Sequence, residues 1–399
     1  MIDVVVDMTA LNTGSRDRGI GRYVRNLCLS LANRADWLHE YPSLNGVALR
    51  IEGLVRHHGA TEGALDASLL FAGDPSISTS GAHYQRHKLE RRVFLGGLAR
   101  RTGARLLHLP DPAGTPMDRR LPRIVTCHDL IPLLLAKEYL SPVPGARSLQ
   151  RARDVARYKT AARVIAISHA TRRDLIEELG VPPERIDVVH HGVDHQRFNA
   201  EPEPGERERL AARVGVSGPY LLYMGAGDAR KNLPLLIRAF AASGVSPDVS
   251  LLLAGPLSGK KRAQLELVVA GASLAGRVRL LGYVDEDLLA ALYRQCLAHV
   301  FPSSYEGFGL PVLEAMACGA PTLTTSFSAL GEVAGDAALT VQRLDLQVLA
   351  DALREIVSDA QLRASLRERG LLRARTFTWQ RCAAETLAAY QRALDRGPE

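Results

Sequence analysis

The segment SYEGFGLPVLEAMACGAP, residues 304–321, decides how the second half of the chain is interpreted. Two glutamates lie eight positions apart in it, around a glycine-flanked phenylalanine and the start of an expected helix: Glu306, Gly307, Phe308, Gly309, Leu310 and Glu314. Glycines let the backbone approach a ligand closely, and a helix N-terminus attracts phosphate through its N–H groups and its dipole. The segment therefore predicts a ligand-binding turn that leads into a helix.

Outward from this segment, short β-rich runs alternate with helical patterns along the chain. The runs are VVVDM at 4–8, RIVTC at 123–127, RVIAIS at 163–168, DVVHH at 187–191, YLLYM at 220–224, SLLLAG at 250–255, RVRLLG at 277–282, HVFPS at 299–303 and PTLTT at 321–325. Such alternation predicts parallel sheets covered by helices on both faces. We expect an α/β protein with two Rossmann-like, doubly wound domains, whose ligands bind at the strand carboxyl ends in an interdomain cleft.

The domain boundary is expected in the polar stretch 201–218, which contains prolines and glycines and predicts a linker with a short helix. We place one domain at 1–200 and a second at 201–376. Residues 377–399 are expected to form a C-terminal amphipathic helix that packs back on the first domain. Within the first domain, Ser168 is expected to cap a helix that Gly180 ends.

Composition narrows the class of protein. The five cysteines are scattered and include no C-x-x-C pair, which fits a reduced cytosolic protein. No apolar run approaches the roughly 18 residues of a membrane span, and the N-terminus carries an acid where a signal peptide carries basic residues. Zinc-finger spacing and an aromatic platform for single strands are both missing, so nucleic acid is not an expected partner. The sequence thus predicts a cytoplasmic protein.

The net charge of +7 lies wholly in the first half of the chain. Residues 1–200 contain 28 Lys and Arg against 21 Asp and Glu. Such an excess attracts an anionic membrane surface or a phosphate-bearing substrate, although 44 arginines against 6 lysines also fit GC-rich codon usage. The run from His83 to Arg105 mixes basic and apolar side chains and is the candidate membrane-facing surface.

The 304–321 segment resembles the paired-glutamate signature of the retaining glycosyltransferases of family four, which have the GT-B fold. Further stretches resemble the same family, in order: RDRGIGRYVRNL at 16–27, TCHDLIP at 126–132, AISHAT at 166–171, VVHHGVD at 188–194, YMGAGDARKNLPLLIRAF at 223–240 and GYVDEDLLAALY at 282–293. The resemblance implies an enzyme that binds an acceptor in the first domain and a sugar nucleotide in the second.

The resemblance also implies site residues. His128 would contact hydroxyls of the transferred sugar together with Glu306, while Arg230 and Lys231 would neutralise the diphosphate leaving group. The donor would be bound by Gly19, Gly21, Arg22, Gly225, Tyr283, Val284, Gly307, Phe308, Gly309, Leu310 and Glu314. Ala226 stands where many relatives have an arginine, so the basic pair would act alone or with Arg22.

The HDLIP motif resembles bacterial mannosyltransferases of surface polysaccharide assembly, which implies GDP-mannose as the donor and a saccharide or polyprenyl-linked saccharide as the acceptor. A UDP-linked sugar is the alternative donor. Transfer would retain the anomeric configuration without a metal or other cofactor, because Asp285 and Asp287, though spaced D-x-D, are expected to open and cap a helix. A GT-B nucleotide-sugar epimerase and a non-catalytic nucleotide-sugar-binding subunit remain alternatives.

Overall fold

The computed structural model describes residues 3–12, 19–44, 51–55, 63–65, 91–116, 120–140, 143–215 and 217–395. Residues 83–90 of the candidate membrane-facing run and residues 16–18 of the first glycine-rich stretch lie outside this part of the chain. Two compact units are present: Met1–Gly192 with Trp379–Glu399, and Val193–Thr378. The sequence predicts these boundaries at 200/201 and 376/377, which lie eight and two residues from the divisions in the structure.

The first unit is built on a seven-stranded sheet of order β3-β2-β1-β4-β5-β6-β7. Its strands are β1 Val4–Asp7, β2 Ile51–Val55, β3 Gly63–Leu65, β4 Leu106–Leu109, β5 Arg123–Cys127, β6 Arg163–Ala166 and β7 Ile186–Val188. Neighbouring strands are parallel except for β2 and β3. Its helices are α1 Gly19–Ala32, α2 Arg34–Trp37, α3 Gly96–Arg101, α4 Ile131–Leu134, α5 Ala136–Tyr139, α6 Ala146–Tyr158, α7 His169–Leu179 and the C-terminal α16 Trp379–Asp395.

The second unit repeats this plan with six parallel strands in the order β10-β9-β8-β11-β12-β13. Its strands are β8 Tyr220–Met224, β9 Ser250–Ala254, β10 Val278–Gly282, β11 Ala298–Phe301, β12 Thr322–Thr325 and β13 Leu339–Val341. Its helices are α8 Glu206–Val214, α9 Leu233–Ala242, α10 Gly259–Gly271, α11 Glu286–Gln295, α12 Leu310–Ala317, α13 Ala329–Ala334, α14 Leu346–Ser358 and α15 Ala360–Arg375. The predicted alternation of strands and helices in a doubly wound α/β protein is confirmed.

Single helical turns complete the described secondary structure. The 3₁₀ turns are Thr9–Asn12, Leu38–Glu40, Pro42–Leu44, Pro183–Arg185 and Ala229–Lys231, and a π turn spans Arg91–Leu95. Among the residues that the structure describes, no helix has both the length and the apolar character that a membrane span requires.

Two apolar layers cover the faces of the first sheet. Alternate residues of a strand point to opposite faces, and β1 follows this rule: Val4 and Val6 pack in the layer formed by α1 and α16, while Val5 packs in the opposite layer. The C-terminal helix α16 therefore contributes to the core of the first unit, where it packs on α1.

The predicted helix signals of the first unit are confirmed. Ser168 Oγ accepts a hydrogen bond from Thr171 N at 3.0 Å, which satisfies an N–H at the start of α7. Gly180 ends the same helix with a left-handed φ of 63°, a conformation that glycine adopts without steric cost.

Candidate active site

In the second unit, the loops after β8 and β11 carry the site residues. The chain runs from β8 outward to β10 and then crosses to the other side of β8, so β8 and β11 are neighbours at the point where the strand order reverses. In doubly wound sheets, ligands bind at the strand carboxyl ends beside this reversal. Arg230 and Lys231 follow β8, and Glu306 follows β11, so the topology alone brings these side chains together.

Arg230, Lys231 and Glu306 form one ion-paired cluster. Arg230 Nη1 and Lys231 Nζ both donate to Glu306 Oε1, and Arg230 Nη1 also donates to the carbonyl oxygen of Tyr305 at 2.9 Å. Each of the three charged side chains is at most 12% exposed. Asp228 Oδ2 adds a longer contact to Arg230 Nη2, at 3.6 Å. Since two cations share one carboxylate, the three side chains together carry a single positive charge.

Lys231 is held in this cluster from two directions. Burial lowers the pKa of its ammonium group below the usual value, and the adjacent Glu306 carboxylate opposes that shift. Lys231 Nζ also lies 4.4 Å from the centroid of the Phe301 ring, where the negative face of the ring attracts a cation. A charge fixed in such a weakly screening environment acts strongly on a nearby anion.

The aromatic ring under Lys231 also connects to the glycine-containing loop after β8. Phe301 stacks on Tyr223, with ring centroids 5.9 Å apart and an interplanar angle of 12°. The Tyr223 hydroxyl donates to the carbonyl oxygen of Ala226 at 3.0 Å. Sequence reasoning assigned no site role to either residue, because Phe301 lies in an ordinary apolar strand and the Tyr223 side chain was not singled out within the stretch 223–240.

The two site loops are tied together by backbone and amide hydrogen bonds. Asn232, at a left-handed φ of 56°, donates through Nδ2 to the carbonyl oxygens of Arg230 and Pro302, each at 2.9 Å. Ser304 N donates to the same Arg230 oxygen at 2.8 Å. The basic pair therefore lies in a short 3₁₀ turn before α9, and its backbone position is set by the loop that carries Glu306.

Close backbone packing explains the glycines beside this cluster. Gly225 N donates to the carbonyl oxygen of Ala254 at 2.9 Å, and Gly255 N donates to that of Gly282 at 2.7 Å, which joins the ends of β8, β9 and β10. At Gly255, with a φ of 128°, an added Cβ would lie 2.2 Å from the Gly225 carbonyl oxygen. No larger residue fits this position without moving the loop.

The turn between Glu306 and α12 contains the glycine-flanked Phe308. Glu306 N donates to Ser328 Oγ at 2.8 Å, and Gly309, at a φ of 114°, precedes the helix. The Phe308 ring is 4% exposed and packs edge-on against Phe377 at 5.9 Å. Its side chain therefore lies in the interior of the second unit, and its assignment to the donor site stays a prediction.

The remaining donor-site candidates of the second unit differ in exposure. Gly307 is buried, Leu310 is half-buried and Glu314, on α12, is 1% exposed. After β10, the Tyr283 side chain is 72% exposed and Val284 is 6% exposed. Tyr283 is thus the freely accessible aromatic surface of this group.

Asp285 and Asp287 have structural partners. Asp285 Oδ1 accepts from Leu288 N at 2.8 Å, which confirms the predicted N-cap of α11. Its other carboxylate oxygen pairs with Arg213 at 2.8 Å, and Asp287 lies 3.7 Å from Arg197. These acids therefore stabilise one helix start and two surface ion pairs.

In the first unit, His128 follows β5 directly. Its Nε2 donates to the carbonyl oxygen of Pro110 at 2.7 Å, which joins the carboxyl ends of β4 and β5. Burial lowers the pKa of His128, while the Pro110 carbonyl and the carboxylates of Asp111 and Asp129 act in the opposite direction. A neutral imidazole that donates through Nε2 is an acceptor at Nδ1, so His128 is suited to accept a hydrogen bond from a hydroxyl.

The first glycine-rich stretch is less restrictive than its counterpart after β8. Gly19 is the exposed first residue of α1, and an added Cβ there would meet no described atom within 4 Å. Gly21 is buried one turn into the helix and Arg22 is half-buried. The structure gives a packing reason for Gly255 and none for Gly19.

Comparison with known proteins gives two family matches that together span most of the chain. The family described as Glycosyltransferase Family 4 matches residues 18–197, and Glycosyl transferases group 1 matches residues 207–373. O-antigen chain mannosyltransferase B of Escherichia coli is 30% identical over 280 residues, which cover 69% of this chain and 72% of that protein. The D-inositol 3-phosphate glycosyltransferase of Pseudarthrobacter chlorophenolicus is 32% identical over 285 residues, or 69% and 66% of the two chains.

Solved structures with the same architecture cover the whole chain. Sucrose-phosphate synthase from Thermosynechococcus elongatus superposes with a TM-score of 0.73 at 21% identity, over 100% of both chains. Anabaena HepE in complex with UDP and glucose gives a TM-score of 0.68 at 17% identity, over 98% of this chain and 100% of that one. At these identities, the likeness shows the fold alone.

Proposed function

We propose a mannosyltransferase function from one premise: the chain belongs to glycosyltransferase family 4, and it is a glycosyltransferase with the GT-B fold. In this proposal GDP-mannose is the donor, and a saccharide or polyprenyl-linked saccharide is the acceptor. The name of the Escherichia coli relative, O-antigen chain mannosyltransferase B, supports this choice, since the similarity covers more than two thirds of both chains. A UDP-linked sugar is the rival donor.

The observation that carries the proposal is the buried cation pair at the strand reversal of the second unit. Arg230 and Lys231 are fixed by Glu306, by backbone carbonyl groups and by an aromatic ring before any ligand arrives. A diphosphate gains negative charge as its bond to the sugar breaks. Preorganised positive charge stabilises that change more than it stabilises the bound donor, and therefore lowers the barrier.

The proposed transfer retains the anomeric configuration. The bond between the anomeric carbon and the diphosphate oxygen breaks, and a bond to the acceptor oxygen forms on the same face of the sugar. The acceptor proton passes to the departing diphosphate. Glu306 is disfavoured as a covalent nucleophile because Arg230 and Lys231 neutralise its carboxylate; in our proposal its other oxygen binds a sugar hydroxyl.

His128 has a binding role in this proposal. Because Nε2 donates a hydrogen bond to the Pro110 carbonyl oxygen, Nδ1 is the nitrogen that accepts a hydrogen bond from a hydroxyl of the transferred mannose. The lowered pKa keeps the imidazole neutral at physiological pH, and only the neutral ring has an acceptor nitrogen. Orienting the sugar in this way contributes to the rate by holding the anomeric carbon in a reactive geometry.

Metal independence is part of the proposal. A diphosphate needs positive charge around its oxygens, and in this site Arg230, Lys231 and the N-terminus of α12 supply it. Asp285 is occupied as a helix cap and as the partner of Arg213. We therefore expect full activity in the presence of EDTA.

We also propose that the protein acts in the cytoplasm, peripherally at the inner face of the cell membrane. In the described part of the first unit, helix α6 and the residues next to it support this location. Val143 and Leu149 are 62% and 53% exposed, and the exposed Arg153 and Lys159 lie on the same helix or just after it. Exposed apolar side chains beside basic ones suit an anionic lipid surface.

The test is a transfer assay with purified full-length protein and a mannose-terminated acceptor. GDP-mannose, UDP-glucose and GDP-glucose are compared in parallel, each with and without EDTA, and the product is analysed by NMR for its anomeric configuration. We expect an α-linked mannoside from GDP-mannose in both buffers.

Other outcomes would contradict defined parts of the proposal. Transfer only from the UDP-sugar would show that a UDP-linked sugar, and not GDP-mannose, is the donor. A β-linked product would exclude retention. Release of free or epimerised sugar at the same rate without acceptor would identify an epimerase. Donor binding without turnover would identify a non-catalytic subunit.

A further inference from the structure

A chain of buried hydrogen bonds crosses the first unit toward the Tyr23 ring. The Tyr390 hydroxyl bonds to His108 Nδ1 at 2.7 Å, and His108 Nε2 bonds to Thr126 Oγ1 at 2.9 Å. Thr126 Oγ1 in turn bonds to the Tyr23 hydroxyl at 3.2 Å. All four residues are 0% exposed, and they come from α16, β4, β5 and α1.

This chain has a fixed chemical state. Burial lowers the pKa of His108 to about 3, so its imidazole stays neutral and donates through one nitrogen while it accepts at the other. Burial also raises the pKa of Tyr23 well above its usual value. Every polar side chain of the series therefore has a partner, which is the condition under which a buried polar network makes one arrangement rigid.

The Tyr23 ring is also fixed by its neighbours on both sides. It stacks on His191, with ring centroids 4.7 Å apart and an angle of 21°, and it meets the His128 ring edge-on at 5.1 Å and 81°. His191 in turn stacks on Trp379 at 5.8 Å and 29°. Tyr23, which lies in the glycine-rich stretch, thus contacts residues of two other stretches that resemble family motifs, TCHDLIP and VVHHGVD.

We infer that Tyr23 is a positioning residue, which fixes the ring plane of His128 and keeps water from its buried side so that Nδ1 faces the substrate hydroxyl. The inference rests on the proposed role of His128. Pro110 holds one nitrogen of that ring, and rotation of the ring about its Cβ–Cγ bond would move Nδ1. The contact with Tyr23, itself anchored by Thr126, removes that freedom.

A purely structural role for Tyr23 makes a different prediction. Loss of a buried ring lowers stability at any core position, with no particular effect on His128. A positioning role requires that the ring, and not the hydroxyl alone, controls the tautomer and the pKa of His128. The Pro110 carbonyl and the carboxylates of Asp111 and Asp129 raise the pKa of His128 against the effect of burial. The rings of Tyr23 and His191 face it, and His128 in turn lowers the pKa of His108 and of His191, on which Arg22 also acts.

The experiment compares Tyr23→Leu with Tyr23→Phe and with Tyr390→Phe as the matched control. Tyr23→Phe keeps the ring and loses the hydroxyl, while Tyr390→Phe removes a hydroxyl from the far end of the same chain without touching His128. Full-length protein with ¹⁵N-labelled histidine reports the tautomer and titration of His128, assigned with a His128→Asn variant. Transfer from GDP-mannose gives kcat and KM across pH.

We expect all three variants to melt at lower temperature than the wild type. In Tyr23→Leu alone, water reaches His128, its pKa rises toward the ordinary value, and kcat falls by about 10- to 100-fold because the acceptor atom is misplaced. KM for GDP-mannose should change by less than about 3-fold. Tyr23→Phe should keep the wild-type tautomer and at least about half of kcat, because the ring contact remains.

An unchanged His128 spectrum in Tyr23→Leu would overturn the inference, as would the same spectral change in Tyr390→Phe. If Tyr23→Leu does not fold, Tyr23→Met takes its place, since it retains apolar volume without the ring. The same changes in the His128 spectrum and in kcat are then expected of Tyr23→Met. Wild-type kcat in His128→Ala would instead remove the proposed role of His128. That failure is separate, because the spectrum of Tyr23→Leu reports positioning without reference to activity.

Discussion

The two units share one sheet order around the strand reversal, yet they place different chemistry at their strand ends. In the second unit the side chains there are charged and ion-paired: Arg230, Lys231 and Glu306. In the first unit the candidate sugar-binding group is the uncharged ring of His128 after β5, which a hydrogen bond and an edge-on contact with Tyr23 of α1 hold in place. The same topology therefore supports either kind of site, and the loops decide which.

The difference follows the chemistry of the two halves of the proposed donor. A diphosphate is an anion, and its recognition needs cations that are buried enough to act strongly. Buried cations are costly without a partner, which explains why Glu306 lies between them. A sugar offers hydroxyl groups, for which a neutral acceptor such as His128 Nδ1 is sufficient, and neutral groups are stabilised by ordinary hydrogen bonds.

The largest effect that would sharpen this comparison is expected at Lys231. Lys231→Ala should lower kcat with GDP-mannose by about 10²- to 10³-fold, because a preorganised charge on the leaving group is lost. Glu306 keeps Arg230 as its partner, so the variant should fold. The exposed Lys260→Ala is the matched control. Equal kcat in the two variants would remove the diphosphate role of Lys231, and Arg230→Ala tests the second cation in the same assay.

His128 tests the neutral half of the comparison. His128→Ala should lower kcat/KM by about 10²-fold at pH 7.5, because no acceptor atom remains at the position of Nδ1. In the wild type, activity needs the neutral ring, and burial lowers the pKa of that ring. Activity should therefore persist as pH falls below the ordinary histidine range and decline only at lower pH, on an acid limb that the variant lacks. If the acid limb of the wild-type pH profile lay above the ordinary histidine pKa, this assignment would be contradicted.

Much of the fold could be predicted from the sequence, and the missing parts have a physical reason. Strands β5 and β8 begin and end where their apolar runs do, because polar or loop-forming residues border each run. Strand β4, LLHL, was missed: four fully buried residues show no alternation, and a short apolar run does not distinguish strand from helix. Strand β13 was also missed, because its three residues are too few to show a periodic pattern.

For the site, charge was visible in the sequence and the neutral network was not. The stretches that contain Arg230, Lys231 and Glu306 resemble family motifs, and that resemblance is what implied these charged residues. The bond between His108 and Tyr390 joins residues 282 positions apart, and nothing local in LLHL or in the last helix indicates it. Tyr23 lies within a recognised stretch, but its partners depend on the packing of α1 and α16.

The glycines of the two units provide the next test of the comparison. Gly255→Ala should lower the free energy of unfolding by about 3 kcal/mol, because its φ of 128° is strained for alanine and the new Cβ would clash with the Gly225 carbonyl oxygen. At Gly19 an added Cβ meets no described atom within 4 Å, so Gly19→Ala at this helix start should change stability by at most about 1 kcal/mol, in the stabilising direction. Urea denaturation measures both. A similar loss in the two variants would mean that both glycine loops are equally restricted.

The smallest expected effect concerns surface charge, which differs between the halves of the chain: the first carries the whole excess of +7. If that excess serves membrane association, the double change Arg153→Gln with Lys159→Gln should weaken binding to anionic vesicles by about 30-fold, since each basic residue near such a surface contributes about 1 kcal/mol. The exposed pair Arg238→Gln with Lys260→Gln removes equal charge from the second unit and should leave binding unchanged. Vesicle flotation at low and high salt is the measurement, because screening shortens the reach of the attraction. Equal flotation on neutral and anionic vesicles would leave codon usage as the reason for the arginines, and the acceptor would then be a soluble saccharide.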